Sequence, residues 1–241
     1  MIQLKNISVS IEGKKILSKI NLTLKPGQIV ALLGPNGSGK SSIALTIAGH
    51  PKYKLISGQI LFDNQNISTF SPDKRANLGL FLANQSPLAI PGLNVKSYLW
   101  QLYKKFNQSK KITLSEFRTL LNLEADHLDI KKELLDRSLN DGFSGGERKK
   151  MEVLQMLITH PKYIILDEID SGLDVDALKK ISIKISQLAK INKSGILIIT
   201  HYNRILKYLI PNQVLIIEKS TIKNSGGLEL IDQIEKNGFQ K

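Results

Sequence analysis

The chain has 241 residues, 41% of them hydrophobic, and contains no cysteine. That length can bury a sizeable core in one domain, and the lack of thiols excludes disulfides, thiolate metal ligation and covalent thiol chemistry. The formal charge of +13 raises the question of nucleic acid, but only five of the 34 basic residues are arginine and the lysines are scattered in short pairs such as Lys14-Lys15 and Lys131-Lys132. Scattered lysine reads as solvated surface, because base readout and strand tracking use arginine forks and interleaved aromatic rings, so no nucleic-acid partner is expected.

Residues 2–10 alternate in the manner of a strand. A second strand is expected over 28–33, where QIVALL is a buried apolar run that leads straight into GPNGSGKS at residues 34–41. This is the phosphate-loop pattern, two glycines spaced before a Lys-Ser pair, in its required place between a strand and a helix predicted over 40–48. Gly34, Pro35, Asn36, Gly37, Ser38 and Gly39 form the candidate cradle, because glycine lets backbone N–H groups turn inward and approach anionic oxygens closely. Lys40 would reach the β- and γ-phosphates, the Ser41 hydroxyl would ligate Mg²⁺, and Ser42 continues the positive end of the helix.

A strand follows near 59–62, closed by a polar turn at 63–66. From 86 to 160 the pattern turns helical, with Tyr98, Leu99, Leu102, Tyr103 and Phe106 on one stripe and Val153, Leu154, Met156 and Leu157 on another. Within it, GFSGGERKK at 142–150 places Ser144, Gly145 and Gly146 at a helix start, a hydroxyl and free N–H groups converging as a second anion site. The run YIILDE at 163–168 suits a strand buried on both faces, with Asp167 and Glu168 at its carboxyl end, where ligands of open α/β sheets bind. Neighbouring strand residues point oppositely, so the two acids are expected to differ in role: Asp167 holding Mg²⁺ through water, Glu168 acting as general base on the attacking water. A helix over 177–189, a strand over 195–200 and a last strand over 214–217 complete the pattern.

With the phosphate loop, the FSGGE string at 143–147 and the strand ending in Asp167-Glu168 in that order, the chain resembles the ATP-binding cassette (ABC) superfamily. The resemblance implies one α/β domain over 1–241. Its core, 1–85 and 161–241, would carry a mainly parallel sheet and an antiparallel β subdomain, and residues 86–160 would form an inserted helical subdomain bearing the signature. It also implies Mg²⁺-dependent ATP hydrolysis. Gln85 stands where the family's Q-loop glutamine meets Mg²⁺ and the attacking water, SGLD at 171–174 matches the D-loop, and His201, after the strand GILIIT, matches the switch histidine.

Longer strings, among them ILDEIDSGLDVDALK at 165–179 and THYNRILKYLIP at 200–211, are similar to the SufC family, ATPases of the Suf system for iron-sulfur cluster assembly. That likeness implies SufB and SufD type scaffold partners and ATP-dependent pairing of two copies, Ser144 and Gly146 of one lying over the nucleotide of the other. The segment after Gln85, with Pro87, Ile90, Pro91 and Leu93, is the expected apolar partner surface. Two rivals stand beside this reading, a transporter's nucleotide-binding subunit and a nucleic-acid-linked cassette protein. The sequence departs from the superfamily near Ile11, where an aromatic ring commonly stacks on adenine: no Phe, Tyr or Trp precedes Tyr53. Loose ATP-over-GTP selectivity is therefore expected. No apolar run approaches the roughly 20 residues of a membrane span and the first residues lack the apolar stretch of a secretory leader. The expected location is where ATP is, the cytoplasm or an organelle matrix.

Overall fold

A computed structural model describes residues 1–109, 111–200 and 204–239. Ten strand residues, Ile2–Ile11 (β1), pair antiparallel with Lys14–Leu24 (β2) and with Lys54–Phe62 (β4), and β4 carries the short Gln65–Asn66 (β5) at its edge. This antiparallel sheet has the order β2-β1-β4-β5.

The second sheet is built from Ile29–Leu33 (β3), Leu80–Ala83 (β6), Tyr163–Asp167 (β9), Gly195–Ile199 (β10), Gln213–Glu218 (β11) and Thr221–Gly226 (β12). Its order is β12-β11-β3-β10-β9-β6, parallel throughout except for the β11–β12 hairpin. Period-two alternation divides its side chains between two cores. Val30, Leu32, Ile165, Leu197 and Ile217 face the antiparallel sheet together with Ile43 and Ile47 of the helix Lys40–Ala48 (α1). Ala31, Leu33, Ile164, Leu166 and Ile198 face the opposite way, toward Gly145–Thr159 (α5) and Val175–Asn192 (α6). Burial on both faces explains why these strands read as unbroken apolar runs.

The short helix Pro72–Asn77 (α2) precedes β6, and the inserted region after β6 comprises Val95–Phe106 (α3), Leu114–His127 (α4) and α5. Its helices start at caps written in the sequence. The Thr113 and Ser144 hydroxyls accept from the N–H groups of Glu116 and Glu147, whose carboxylates return the bond to the cap N–H, and Asn94 caps α3 through Ser97 N–H. One part of this segment is not helical: Ile90–Asn94 (β7) pairs with Ser138–Leu139 (β8). The helix Glu229–Asn237 (α7) ends the described chain. Among the described residues no helix is long and apolar enough to cross a membrane.

The architecture is the expected one, with a mainly parallel P-loop core sheet, an antiparallel β subdomain and a helical insertion. The differences lie at weak signals. The strand expected over 59–62 begins at Lys54, and β2, β5, β6, β7, β8 and β12 were not anticipated. In β2, Lys19 takes a left-handed φ of 49° and the register with β1 shifts, which breaks the alternation that would have revealed it.

Candidate active site

Gly34 to Ser42 leave the carboxyl end of β3, bordered on either side by β10 and β11. A Cβ on Gly34 would meet the Ile217 carbonyl at 2.2 Å, and Gly39 sits at φ 106° with Leu17 Cδ2 2.7 Å from where its Cβ would be. Both positions therefore require glycine. Lys40 opens α1 and is almost wholly buried. Its Nζ donates to the carbonyls of Gly34 at 2.8 Å and Pro35 at 2.9 Å. Burial lowers its pKa, while the Glu168 and Asp167 charges act in the opposite direction. At the far end of α1, the buried Arg75 guanidinium donates to the carbonyls of Thr46 and Ile47, each at 2.8 Å, and burial brings its pKa down to about 10. A cation at the last carbonyls matches the negative end of the helix, so α1 is held at both ends.

Ser41 Oγ donates to Asp167 Oδ1 at 3.1 Å. Asp167 is the last residue of β9, and burial pushes its carboxyl up to about 6, with the Glu168 charge adding to the rise and the Ser41 hydrogen bond opposing it. Glu168 is not a further strand residue: it turns into the left-handed region at φ 51°, its N–H bonded to the Ile199 carbonyl at 2.9 Å. The two acids diverge because of this turn and not by strand alternation. The Gln85 side-chain amide donates to Glu168 Oε2, and Ser171 Oγ donates to the Glu168 carbonyl at 2.8 Å.

These residues border an open cavity of about 710 Å³. Asn36, Gly37, Gly39, Lys40, Ser41, Ser42, Gln85 and Glu168 line it, while Gly34, Pro35 and Ser38 form the loop behind and Asp167 stands behind Ser41. Ser144, Gly145 and Gly146 do not line it; they open α5, where a Cβ on Gly146 would stand 3.7 Å from the Gly172 carbonyl oxygen. His201 lies outside the described residues. Lys14, Lys15, Ile16, Ser171 and Ser220 were missed as lining residues. The apolar residue at the mouth is Ile16, not Ile11, because Ile11 pairs with Lys14 across the β1–β2 turn and the chain reaches the cavity only on its return. Of the segment after Gln85, Pro87 is buried, Leu93 half-buried and Ile90 and Pro91 exposed; Leu88, at 81%, is more exposed than Ile90.

The donor set suits magnesium. The Ser41 hydroxyl, the Asp167 carboxylate and the Gln85 amide are too few for an all-protein cage, and Mg²⁺ usually takes one or two protein oxygens with phosphate and water for the rest. A buried carboxyl drawn to about 6 is also a group that a divalent cation would return to its charged form.

A glycine-bounded loop from a central parallel strand into a clamped helix, with a buried acid on a nearby strand, defines a P-loop nucleotide-hydrolysing core. The chain belongs to the ABC transporter family, whose pattern it matches over residues 17–171. It is 42% identical over 242 residues to the probable ATP-dependent transporter ycf16 of Antithamnion sp., covering 99% of this chain and 96% of that protein. To a probable ABC transporter ATP-binding protein of Streptococcus pyogenes serotype M3 it is 43% identical over 240 residues, covering 99% and 93%. Its fold is that of an ABC transporter's ATP-binding subunit, with a TM-score of 0.81 at 20% identity over 100% and 95% of the two chains. It is also that of the cassette MJ0796, solved as a dimer in a post-hydrolysis state with ADP and Pi, with a TM-score of 0.80 at 20% identity over 95% and 99%. The protein is an ABC-type ATPase that works on ATP with magnesium.

Proposed function

We propose that this ATPase drives conformational change in a Suf-type scaffold complex that assembles iron-sulfur clusters, with SufB and SufD type proteins as its partners. The observation that carries the reading is the run of SufC-like strings along nearly the whole chain, including Thr-His-Tyr at residues 200–202, where ordinary transporter subunits usually carry an acid after the histidine. A cysteine-free motor agrees with that division of labour, since the scaffold holds the cluster. A transporter's nucleotide-binding subunit is the second reading, favoured by the names of the relatives just described. Purification from native lysate followed by mass spectrometry separates the two. Suf-type scaffold proteins are the expected co-purifying partners, and recovery of membrane permease subunits in their place would overturn the proposal. In either case the site is expected to act in the cytoplasm or an organelle matrix, without insertion of this chain into the membrane.

In the proposed mechanism the loop from Gly34 to Gly39 cradles the phosphates through its N–H groups, and Lys40 exchanges the Gly34 and Pro35 carbonyls for phosphate oxygens. Ser41, Gln85 and Asp167 are the residues that would hold magnesium, Asp167 through water. The metal supplies neutralisation of the charge that develops on the transferred phosphoryl group. Glu168 accepts the proton of the attacking water, a role that requires the Gln85 amide to release its carboxylate. His201 orients the water at the γ-phosphate. Ser144, Gly145 and Gly146 serve the nucleotide of a second copy, a role with which their place outside the cavity of their own chain agrees. Closed pairing then depends on bound ATP, and hydrolysis removes the contacts that hold the pair, which is how the cycle moves attached scaffold proteins.

A further inference from the structure

Glu152 lies in the middle of α5, 6% exposed, among the buried side chains Met151, Val153 and Leu154. An apolar residue would suit that position without the desolvation a carboxyl brings. Its Oε1 accepts from the Asn84 N–H at 3.0 Å, and its Oε2 has no hydrogen-bond partner among the described residues. Lys149, one turn earlier on the same helix face, donates to the Asn84 carbonyl at 3.1 Å and to the Glu168 carbonyl at 3.2 Å. Both backbone polar groups of one residue are thus taken by two side chains of α5. That residue immediately precedes Gln85, whose amide reaches Glu168, in a stretch otherwise exposed to solvent. Neither Glu152 nor Lys149 lines the nucleotide cavity.

We propose that Glu152, with Lys149, is a positioning residue for hydrolysis: the pair grips Asn84 so that the helix capped by Ser144 sets where the Gln85 side chain stands. Strand β6 fixes the Q-loop only up to Ala83, and the next residue is held by side chains of the signature helix, one of which, Lys149, also bonds the Glu168 carbonyl at the end of β9. Gln85 is thereby placed from α5, whereas Lys40 and Ser41 are placed by the loop that leaves β3. Nucleotide affinity and turnover therefore depend on different contacts of the chain. A neutral side chain with an acceptor oxygen in the same place keeps the grip, because the bond needs an acceptor for the Asn84 N–H and not a charge.

The proposal rests on Gln85 acting at the reacting end of the nucleotide, so Gln85→Ala is measured alongside. Steady-state ATPase of the full chain, with and without its scaffold proteins, should show Glu152→Leu lowering kcat about 10- to 100-fold while KM for ATP stays within about threefold. Glu152→Gln should restore kcat to within about threefold of wild type. Glu152→Ala, with the strongest helix former at the site, is the second apolar variant should leucine not be accommodated. Wild-type kcat in a folded Leu or Ala variant overturns the proposal, as does a Gln variant as slow as the apolar ones. Unfolding of both apolar variants with Gln folded assigns Glu152 to stability alone and overturns it too. If Gln85→Ala is slow and the Glu152 variants are not, only the grip fails; if Gln85→Ala turns over normally, the reading of Gln85 fails with it.

Discussion

Titration of Glu152 gives the fold a pH dependence that can be worked out. Burial raises this carboxyl from an ordinary 4.5 to about 7, with the Asn84 N–H and the Lys149 charge acting against the rise. The folded protein therefore holds the proton more tightly than the unfolded chain, and protonation stabilises the fold. The contribution is fully present below about 4.5, falls as pH rises toward 7, and is absent above. Each unit corresponds to about 1.36 kcal/mol, so the whole span is on the order of 3 kcal/mol, of which about 2.5 kcal/mol is lost between pH 5 and pH 8. Glu152→Gln cannot titrate there and retains every other ionisable group, including Asp167, so the wild-type-minus-variant difference isolates this carboxyl. Urea unfolding of both proteins at half-unit steps from pH 5 to 8 should show the wild type losing about 2.5 kcal/mol relative to the variant. A difference flat to within about 0.5 kcal/mol, or one that grows in favour of the wild type with pH, would refute the assignment of a buried, proton-retaining acid.

Other outcomes follow from the site. Glu168→Gln should keep ATP binding and lower turnover by about 100-fold or more, whereas Lys40→Ala should weaken binding as well; parallel loss of affinity and rate in the Glu168 variant would remove it as the base. With Ile16 as the apolar residue at the cavity mouth and no aromatic ring before Tyr53, ATP and GTP should differ in affinity by less than about tenfold in competition binding. A strong preference for ATP would mean that another group reads the base. The isolated chain should be largely monomeric with slow turnover that scaffold proteins accelerate. Ile90→Asp, at a side chain 45% exposed, should abolish that stimulation while leaving the melting temperature and ATP affinity unchanged; normal stimulation, or unfolding, would sink the role given to this surface.

The parts of the molecule legible in the sequence are those where one short stretch holds the whole reason for its structure. The loop from Gly34 to Ser41 carries its own turn chemistry, and the strand ending at Asp167 shows its burial as an apolar run. What was missed depends on pairing between distant stretches. The hairpins that bring Lys14, Lys15 and Ser220 to the cavity turn at Glu12-Gly13 and Lys219-Ser220, but a turn does not say which distant loop it meets, and the sequence KKILSKINLTL hides an edge strand behind its lysines. The strand Ile90–Asn94 contains a proline and a glycine, residues that argue against a strand unless a partner such as β8 is known. In Met151-Glu152-Val153 the periodicity announces a helix. It cannot say that the carboxyl points inward to a loop 68 residues away.

The sheet order also governs when this chain can become a protein during its synthesis. Strand β3 holds the phosphate loop, yet its two neighbours are β10 and β11, which begin at residues 195 and 213. At about 5–20 residues per second, a ribosome needs on the order of ten to thirty seconds to travel from Leu33 to Gly195. Throughout that interval the nascent chain carries an apolar strand with both edges unsatisfied, a template for pairing with other chains. The hairpin of β1 and β2 and the capped helices α3, α4 and α5 draw on neighbouring residues and can form early, while the nucleotide site closes only when the last parallel strands arrive. A premature stop anywhere before Gly195 thus yields an aggregation-prone fragment with no residual nucleotide-binding core.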